Sequence, residues 1–393
     1  MEAFTRRSFI GGLALAGAAA AVPATAARAQ AAAAAAPAPE VETWQLIGKD
    51  VFTGDAQGSR SQGVTTDGTH WYFSSSNGLE ITDMQYNTIL KTAPAIPPEL
   101  ASPSPLAFKG LNHIGDMDFA CGDLYIALDS STPDPGSPDE YQYKYDTPVF
   151  AIYNAADLTY TGQAAALNPP NREHDIASWV AADARQGLAY GMTYVNATQI
   201  AVYNLPDFTF NKYIPISQPI NEAQGGKIHD GWIYFSCDDP AKNILRANLT
   251  TGEVQVLFTL LLPYPQEVEG LSFLETADGL TLNILNRELP DPSAPSNVTF
   301  YHYLRQLPGT PFISGWPRVG RYLTADPGRW TPQATFSYQW LANGQPVAGA
   351  TDPRFHVLGK YLGDLVTVQV TGRWTGGTAR TVESAPVKIL PGT

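Results

Sequence analysis

Three features predict an all-β chain in which a ring of repeated small sheets precedes a separate two-sheet module. Short aromatic and β-branched runs are punctuated by 34 Gly and 32 Pro in 393 residues, a mix that suits strands and turns rather than helices. The stretch Ser61–Phe73 carries Gln-Gly, a short apolar run, Asp-Gly and an aromatic run, and this order returns at Ala223–Phe235. From about residue 311 the repeat stops, and short alternating strands separated by Gly, Pro and Asn-Gly turns take over.

The repeat defines the ring. Asp-Gly between two apolar runs is a hairpin signal, because Gly takes φ > 0 at no steric cost. Looser copies lie at His113–Tyr125, Ser178–Tyr190 and Glu269–Leu282. Five copies, roughly 40–60 residues apart, match one inner hairpin per blade of a five-bladed β-propeller. A sixth blade would require Ala93–Leu111, Pro-rich and strand-poor, to hide a degenerate copy.

In chain order, Thr5-Arg6-Arg7-Ser8-Phe9-Ile10, an apolar stretch from Gly11 to about Val22, and Ala27-Arg28-Ala29 read as a twin-arginine (Tat) signal peptide over residues 1–29. The apolar run is too short and too rich in Ala and Gly for a lasting membrane span. The expected location is the periplasm or the exterior, reached after folding. Cleavage would remove three Arg and one Glu, taking the net charge from −13 to about −15. Residues 30–41 read as an Ala/Pro linker. Residues 42–306 hold the propeller. Its leading strand, Trp44–Phe52, is expected to complete the last blade and close the ring. Outer hairpins repeat as well: Ala151–Asn154 before Asp157–Tyr160, and Ala201–Asn204 before Asp207–Phe210. Three connections are long: 93–112, 130–147 and 166–177. The middle one mixes carboxylates with tyrosines, either to bind a ligand or as a solvated loop.

Charged residues are few, at 16%, and the balance is acidic, with a pI near 4.8. No basic face for nucleic acid and no polybasic segment for anionic lipid is expected. A soluble monomer is. Cys121 and Cys237 fall on repeats two and four, which predicts two buried, unbridged thiols.

Residues 311–393 read as a β-sandwich. Pro317–Gly320, Leu323–Trp330, Phe336–Trp340, Gly344–Ala350 and Val366–Val370 resemble a bacterial Ig-like domain. The resemblance implies a spacer or surface-binding appendage, with Trp340 as core anchor and no catalysis.

Propellers hold ligands at one mouth of the central channel, near the starts of the inner strands. The residues there are Gln62; His113, Asp116 and Asp118; His174 and Asp175; Gln224; and Glu267 and Glu269. Gly63, Gly115, Gly225, Gly226 and Gly270 stand beside them, where a missing Cβ lets backbone approach a ligand. Each polar residue also has a structural reading, as a brace between blades or a solvated loop group. His70 and His229 sit on hairpins away from the mouth and read as surface residues. On the functional reading, Glu269, Gln224, Asp118 and Gln62 hold a divalent ion, Ca²⁺ by donor type. His113 or His174 then moves the proton, with Asp116 and Glu267 as catalytic carboxylates. On the other reading the ring only binds a ligand. No Gly-x-Ser-x-Gly elbow, His-Glu-x-x-His, P-loop or dinucleotide fingerprint is present.

Glu267-Val268-Glu269-Gly270-Leu271-Ser272-Phe273 resembles a Glu-Gly segment of secreted calcium-binding propellers, phytase-like and gluconolactonase-like. The resemblance implies a metal at the channel mouth and covers seven residues. The expected function is a secreted carbohydrate-active enzyme, a polysaccharide lyase or glycoside hydrolase. The alternatives are a metal-dependent esterase or lactonase, and a non-catalytic glycan- or surface-binding propeller.

Overall fold

The computed structural model describes residues 42–101, 110–130, 132–133, 143–144, 148–170, 177–262, 266–288, 297–375 and 379–392. The stretches expected to be a signal peptide and linker, His174, Asp175 and most of the 130–147 connection lie outside the described residues.

Among the described residues, five four-stranded antiparallel sheets form from β1 (Thr43–Phe52) onward. The first sheet is β2 (Val64–Thr66), β3 (Trp71–Ser75), β4 (Gly78–Thr82) and β5 (Thr88–Thr92). The second is β6 (His113–Ala120) and β7 (Asp123–Asp129), then β10 (Val149–Asn154) and β11 (Tyr160–Ala166). Between β7 and β10, β8 (Thr132–Pro133) pairs with β9 (Tyr143–Lys144) among the described residues. The third is β12 (Ala181–Asp183), β13 (Leu188–Gly191), β14 (Ala197–Asn204) and β15 (Thr209–Ile220). The fourth is β16 (Ala223–His229), β17 (Trp232–Cys237), β18 (Asn243–Asn248) and β19 (Val254–Thr259). The fifth is β20 (Gln266–Thr276), β21 (Gly279–Glu288) and β22 (Val298–Gln306), with β1 as its outer strand.

The inner strands β2, β6, β12, β16 and β20 touch in that order, and β20 touches β2 again. The result is an all-β, propeller-like ring. No strand falls between β5 and β6 among the described residues. Its apolar core is divided, with one cluster between each pair of neighbouring sheets. Strands buried on both faces explain the near-continuous runs Trp71-Tyr72-Phe73 and Ile233-Tyr234-Phe235.

Closure is by hydrogen bonding between strands that are distant in the sequence. β1 pairs with β22 from Thr43↔Gln306 to Phe52↔Val298. Just before it, Glu42 accepts from Tyr234 Oη at 2.7 Å and Trp44 Nε1 at 3.1 Å, and pairs with Arg246 at 3.0 Å.

Beyond the ring, β23 (Phe312–Gly315), β24 (Tyr322–Asp326) and β27 (Arg354–His356) form one sheet. β25 (Thr335–Ala342), β26 (Gln345–Pro346), β28 (Leu365–Arg373), β29 (Ala379–Glu383) and β30 (Val387–Lys388) form the facing one. Trp340 is fully buried between them, against Phe355 at 5.0 Å between ring centroids, with its Nε1 donating to Asp352 O at 2.9 Å.

Three expectations are corrected. Cys121 is exposed, because it occupies the β6–β7 turn at φ 55° rather than a strand. Cys237 is buried at the end of β17, and burial pushes its thiol well up. Both are free. Nor are His70 and His229 plain surface residues. His70 Nδ1 is 3.0 Å from Asp67, and half-buried His229 lies against the Phe273 ring at 5.1 Å.

Candidate functional site at one end of the ring

Three inner strands carry a bulge at the same level. It falls at Ile114/Met117 in β6, Ala223/Gly225 in β16 and Val268/Leu271 in β20. A bulge inserts a residue and re-aims a side chain. Thus Asp116, Gln224 and Glu269 lie within strands, not before them, and turn towards the centre.

The glycines beside them serve strand packing. A Cβ on Gly63 would stand 2.6 Å from Asp116 Cα; on Gly115, 2.2 Å from Ser178 O; on Gly226, 2.3 Å from the Trp179 ring. On Gly225 it would meet Leu271 N at 2.8 Å, and on Gly270 Gly63 Cα at 2.8 Å. All five junctions between inner strands are therefore closed by a glycine. The expectation that these glycines leave room for a ligand is corrected: they leave room for the next blade.

Two carboxylates brace this hub. Asp116 Oδ1 accepts from Val64 N at 3.0 Å, and Oδ2 from Gly226 N at 3.3 Å and Lys227 Nζ at 2.6 Å. Burial lifts its pKa to about 6, with Lys227 opposing. Asp118 accepts from Thr65 Oγ1 at 3.4 Å, Phe119 N at 3.0 Å and Ala182 N at 2.9 Å. Burial raises it too. Ser74 Oγ donates to Gly115 O at 2.8 Å, and Ser236 Oγ donates to Glu269 O, each hydroxyl reaching the bulge of the following blade.

Glu269 is 2% exposed and accepts from Gln62 Nε2 at 3.0 Å. Burial, then the Glu267 charge, push its carboxyl well above the usual range. Gln224 is half-buried and its amide makes no hydrogen bond to the described residues. These donors do not fit a Ca²⁺ site. Gln62 points an N–H at Glu269, Asp118 is filled by N–H and O–H donors, and the Lys227 ammonium already neutralises Asp116. Among the described residues no group of three or more His, Cys, Asp or Glu is placed to hold a metal.

Outside the hub, at the end where β6, β16 and β20 begin, a second cluster forms. Cross-strand register puts His113 opposite Asp129 and Glu267 opposite Arg287. His113 Nδ1 lies 3.2 Å from Asp129 Oδ1, off the direction of a good hydrogen bond, so both buried atoms keep unused capacity. Burial works against the imidazolium, but Asp129, with Glu267 behind it, outweighs burial and holds the His113 pKa above its ordinary value. Arg287 Nη1 is 3.6 Å from Glu267, and its buried Nε has no acceptor among the described residues. Asp238 holds Lys242 Nζ at 2.5 Å and accepts from Val268 N at 2.7 Å. Burial and the charges of Asp238, Glu222, Glu267 and Glu269 push the Tyr194 hydroxyl up, leaving it a proton carrier rather than a phenolate.

Of the predicted residues, His113, Glu267, Glu269, Gln62 and Gln224 therefore gather at one end. Asp116 and Asp118 belong to the hub, and His174 lies outside the described residues. Sequence reasoning missed Asp129, Arg287, Tyr194, Lys242 and Lys227. The first two were findable, since Asp129 ends, and Arg287 is next to the end of, the second strand of a hairpin whose first strand carries His113 or Glu267.

No family model and no curated protein matches the chain. Solved structures similar to it include a gluconolactonase from Xanthomonas campestris, at 9% identity over 66% of this chain and 91% of that one, with a TM-score of 0.37. The hydrazine synthase of Kuenenia stuttgartiensis is similar at 11% identity, 81% and 78% coverage, and a TM-score of 0.33. The mitotic checkpoint complex follows at 10%, 72%, 99% and 0.33. At these values the likenesses carry no argument. The propeller-like architecture rests on sheet order and ring contacts.

Proposed function

We propose that the chain is an exported five-bladed propeller enzyme that moves a proton on a carbohydrate-type substrate at the His113 end of the ring. The observation that carries this reading is the His113–Asp129 pair, beside the Glu267–Arg287 pair. An imidazole held by a carboxylate is a proton acceptor and donor suited to neutral pH. A guanidinium nearby stabilises negative charge as it develops on a substrate carboxylate or carbonyl oxygen. The set suits elimination from a uronate or hydrolysis of a lactone or ester, without a metal ligand set. Neutral His113 takes the proton, Asp129 stabilises the imidazolium so formed until it passes the proton to the leaving group, and Arg287 receives the anionic group. Glu267 holds Arg287 in place. The C-terminal sandwich, read as Ig-like, serves as an appendage.

The test is turnover of polyuronates and sugar lactones by the purified chain and by His113→Ala. New ultraviolet absorbance from a conjugated C=C identifies elimination, and acid release identifies hydrolysis. Turnover that persists unchanged in His113→Ala overturns the assignment. Tight glycan binding with no turnover leaves a binding propeller.

A further inference from the structure

The last 83 residues differ in charge from the rest. Residues 311–393 hold eight Lys/Arg and four Asp/Glu, a net of +4, whereas the whole chain is −13. The excess is concentrated at one tip of the sandwich. The register gives the tip its position: Thr335↔Arg373 lies at the end near the ring, where Leu307 bridges Thr331 and Gln45 Nε2 donates to Thr375 O. Ala342↔Val366 and Leu365↔Lys388 lie at the opposite end. There the backbone of three segments is stitched together. Val319 N donates to Leu390 O at 3.1 Å, Gly320 N to Val357 O at 2.8 Å and Gly363 N to Ile389 O at 3.0 Å.

These segments expose apolar side chains unusually well. Trp316 is 70% exposed, Leu362 53%, Leu358 45% and Leu390 38%. Arg318, Arg321, Lys360 and Lys388 stand among them. None of the four is paired with a carboxylate among the described residues. One carboxylate, Asp364, stands in the same three segments, and it accepts from Asn343 Nδ2.

We propose that this tip docks on an anionic lipid surface. Exposed apolar patches rimmed by charge mark interaction sites. A purely polyanionic partner would satisfy the four cations and leave the tryptophan and leucines in water. An apolar protein partner would leave the cations without counter-charge. An anionic bilayer interface offers both, since Trp and Leu enter the headgroup boundary while Lys and Arg meet its negative potential. The tip lies at the end of the sandwich remote from its contacts with the ring. Among the described residues no helix is long and apolar enough to span a membrane, and the tip would hold the chain at one without such a helix.

The test is co-sedimentation of the full chain with phosphatidylglycerol-containing vesicles and with phosphatidylcholine vesicles, in 0.1 M NaCl. Two variants accompany it: Trp316→Ala/Leu362→Ser, and Arg321→Gln/Lys360→Gln/Lys388→Gln. The chain is expected to pellet with the anionic vesicles alone and to be released in 1 M NaCl, where the screening length falls from about 10 to about 3 Å. The triple charge variant is expected to bind roughly a hundredfold more weakly and the apolar variant at least roughly tenfold more weakly, both with an unchanged melting temperature. No pelleting with the anionic vesicles, or equal pelleting with phosphatidylcholine, overturns the proposal. So does full binding by the apolar variant, which would leave a general polyanion site. Self-association of the chain that Trp316→Ala abolishes also overturns it, by assigning the patch to a contact between copies.

Discussion

At the residue scale, two buried ion pairs have opposite duties. Lys227 and Asp116 sit in the hub, where neither meets solvent. Removing one partner leaves an uncompensated buried charge, so Lys227→Met should cost about 3–5 kcal/mol in a denaturant melt. Lys227→Met/Asp116→Asn should recover part of that loss. His113 and Asp129 face the mouth instead. With the His113 pKa held above 6.5, a neutral base is present only above that raised value, so kcat/KM should climb with pH through it. Asp129→Asn removes the main stabilising charge, and the midpoint should move to lower pH while kcat falls about 100-fold. A midpoint that stays in place would remove Asp129 from the assignment. The His113–Asp129 pair follows from one hairpin, but the hub pair was not legible in the sequence. Lys227 and Asp116 are 111 positions apart, and only the ring's curvature brings them together.

The element scale explains what the glycines signalled. Gln62-Gly63, Gln224-Gly225 and Glu269-Gly270 recur because the glycine meets the neighbouring inner strand, and at the last two a bulge also re-aims the polar side chain. The recurrence was readable, and it located the inner strands. Its cause was not, since sequence spacing cannot tell a close ligand from a close strand. Gly270→Ala drives a Cβ to within 2.8 Å of Gly63 Cα and should destabilise by about 1–3 kcal/mol or more. Gly68→Ala, in an open turn at φ 87°, should cost about 1 kcal/mol, from backbone conformation alone. Equal losses in the two variants, measured by chemical denaturation, would mean that the hub relaxes. The repeat also extends further than the aromatic runs suggested. Tyr72-Phe73-Ser74 and Tyr234-Phe235-Ser236 each end on a hydroxyl that ties one blade to the next.

For the whole molecule, the hub links folding to protons. Asp116, Asp118 and Glu269 are all held above their ordinary pKa, burial being the first cause in each. A carboxyl raised from 3.8 to about 6 binds its proton more tightly in the folded state. The stability Asp116 contributes is full below about pH 4 and is lost as pH rises through about 6. Unfolding free energy should therefore fall over that window, and the fall should be shallower in Asp116→Asn. A parallel slope in both proteins would mean that Asp116 does not titrate there. The ring itself, its closing strand and the following sandwich were legible because strand patterning and turn chemistry are local. The chemistry at the mouth was less so, since it depends on which hairpin ends meet.

The closing strand also fixes an order of events. Gln45 bonds Gln306 across 261 positions, so the first strand of the ring to be synthesised waits for the last. Until β22 is complete, β1 has no partner and β21 presents an open edge. Such long-range pairing is slow, and partly built rings are prone to aggregate. A nascent chain halted before Val298 should accordingly remain protease-sensitive, however many earlier blades it holds, and acquire resistance in one step once Gln306 has emerged.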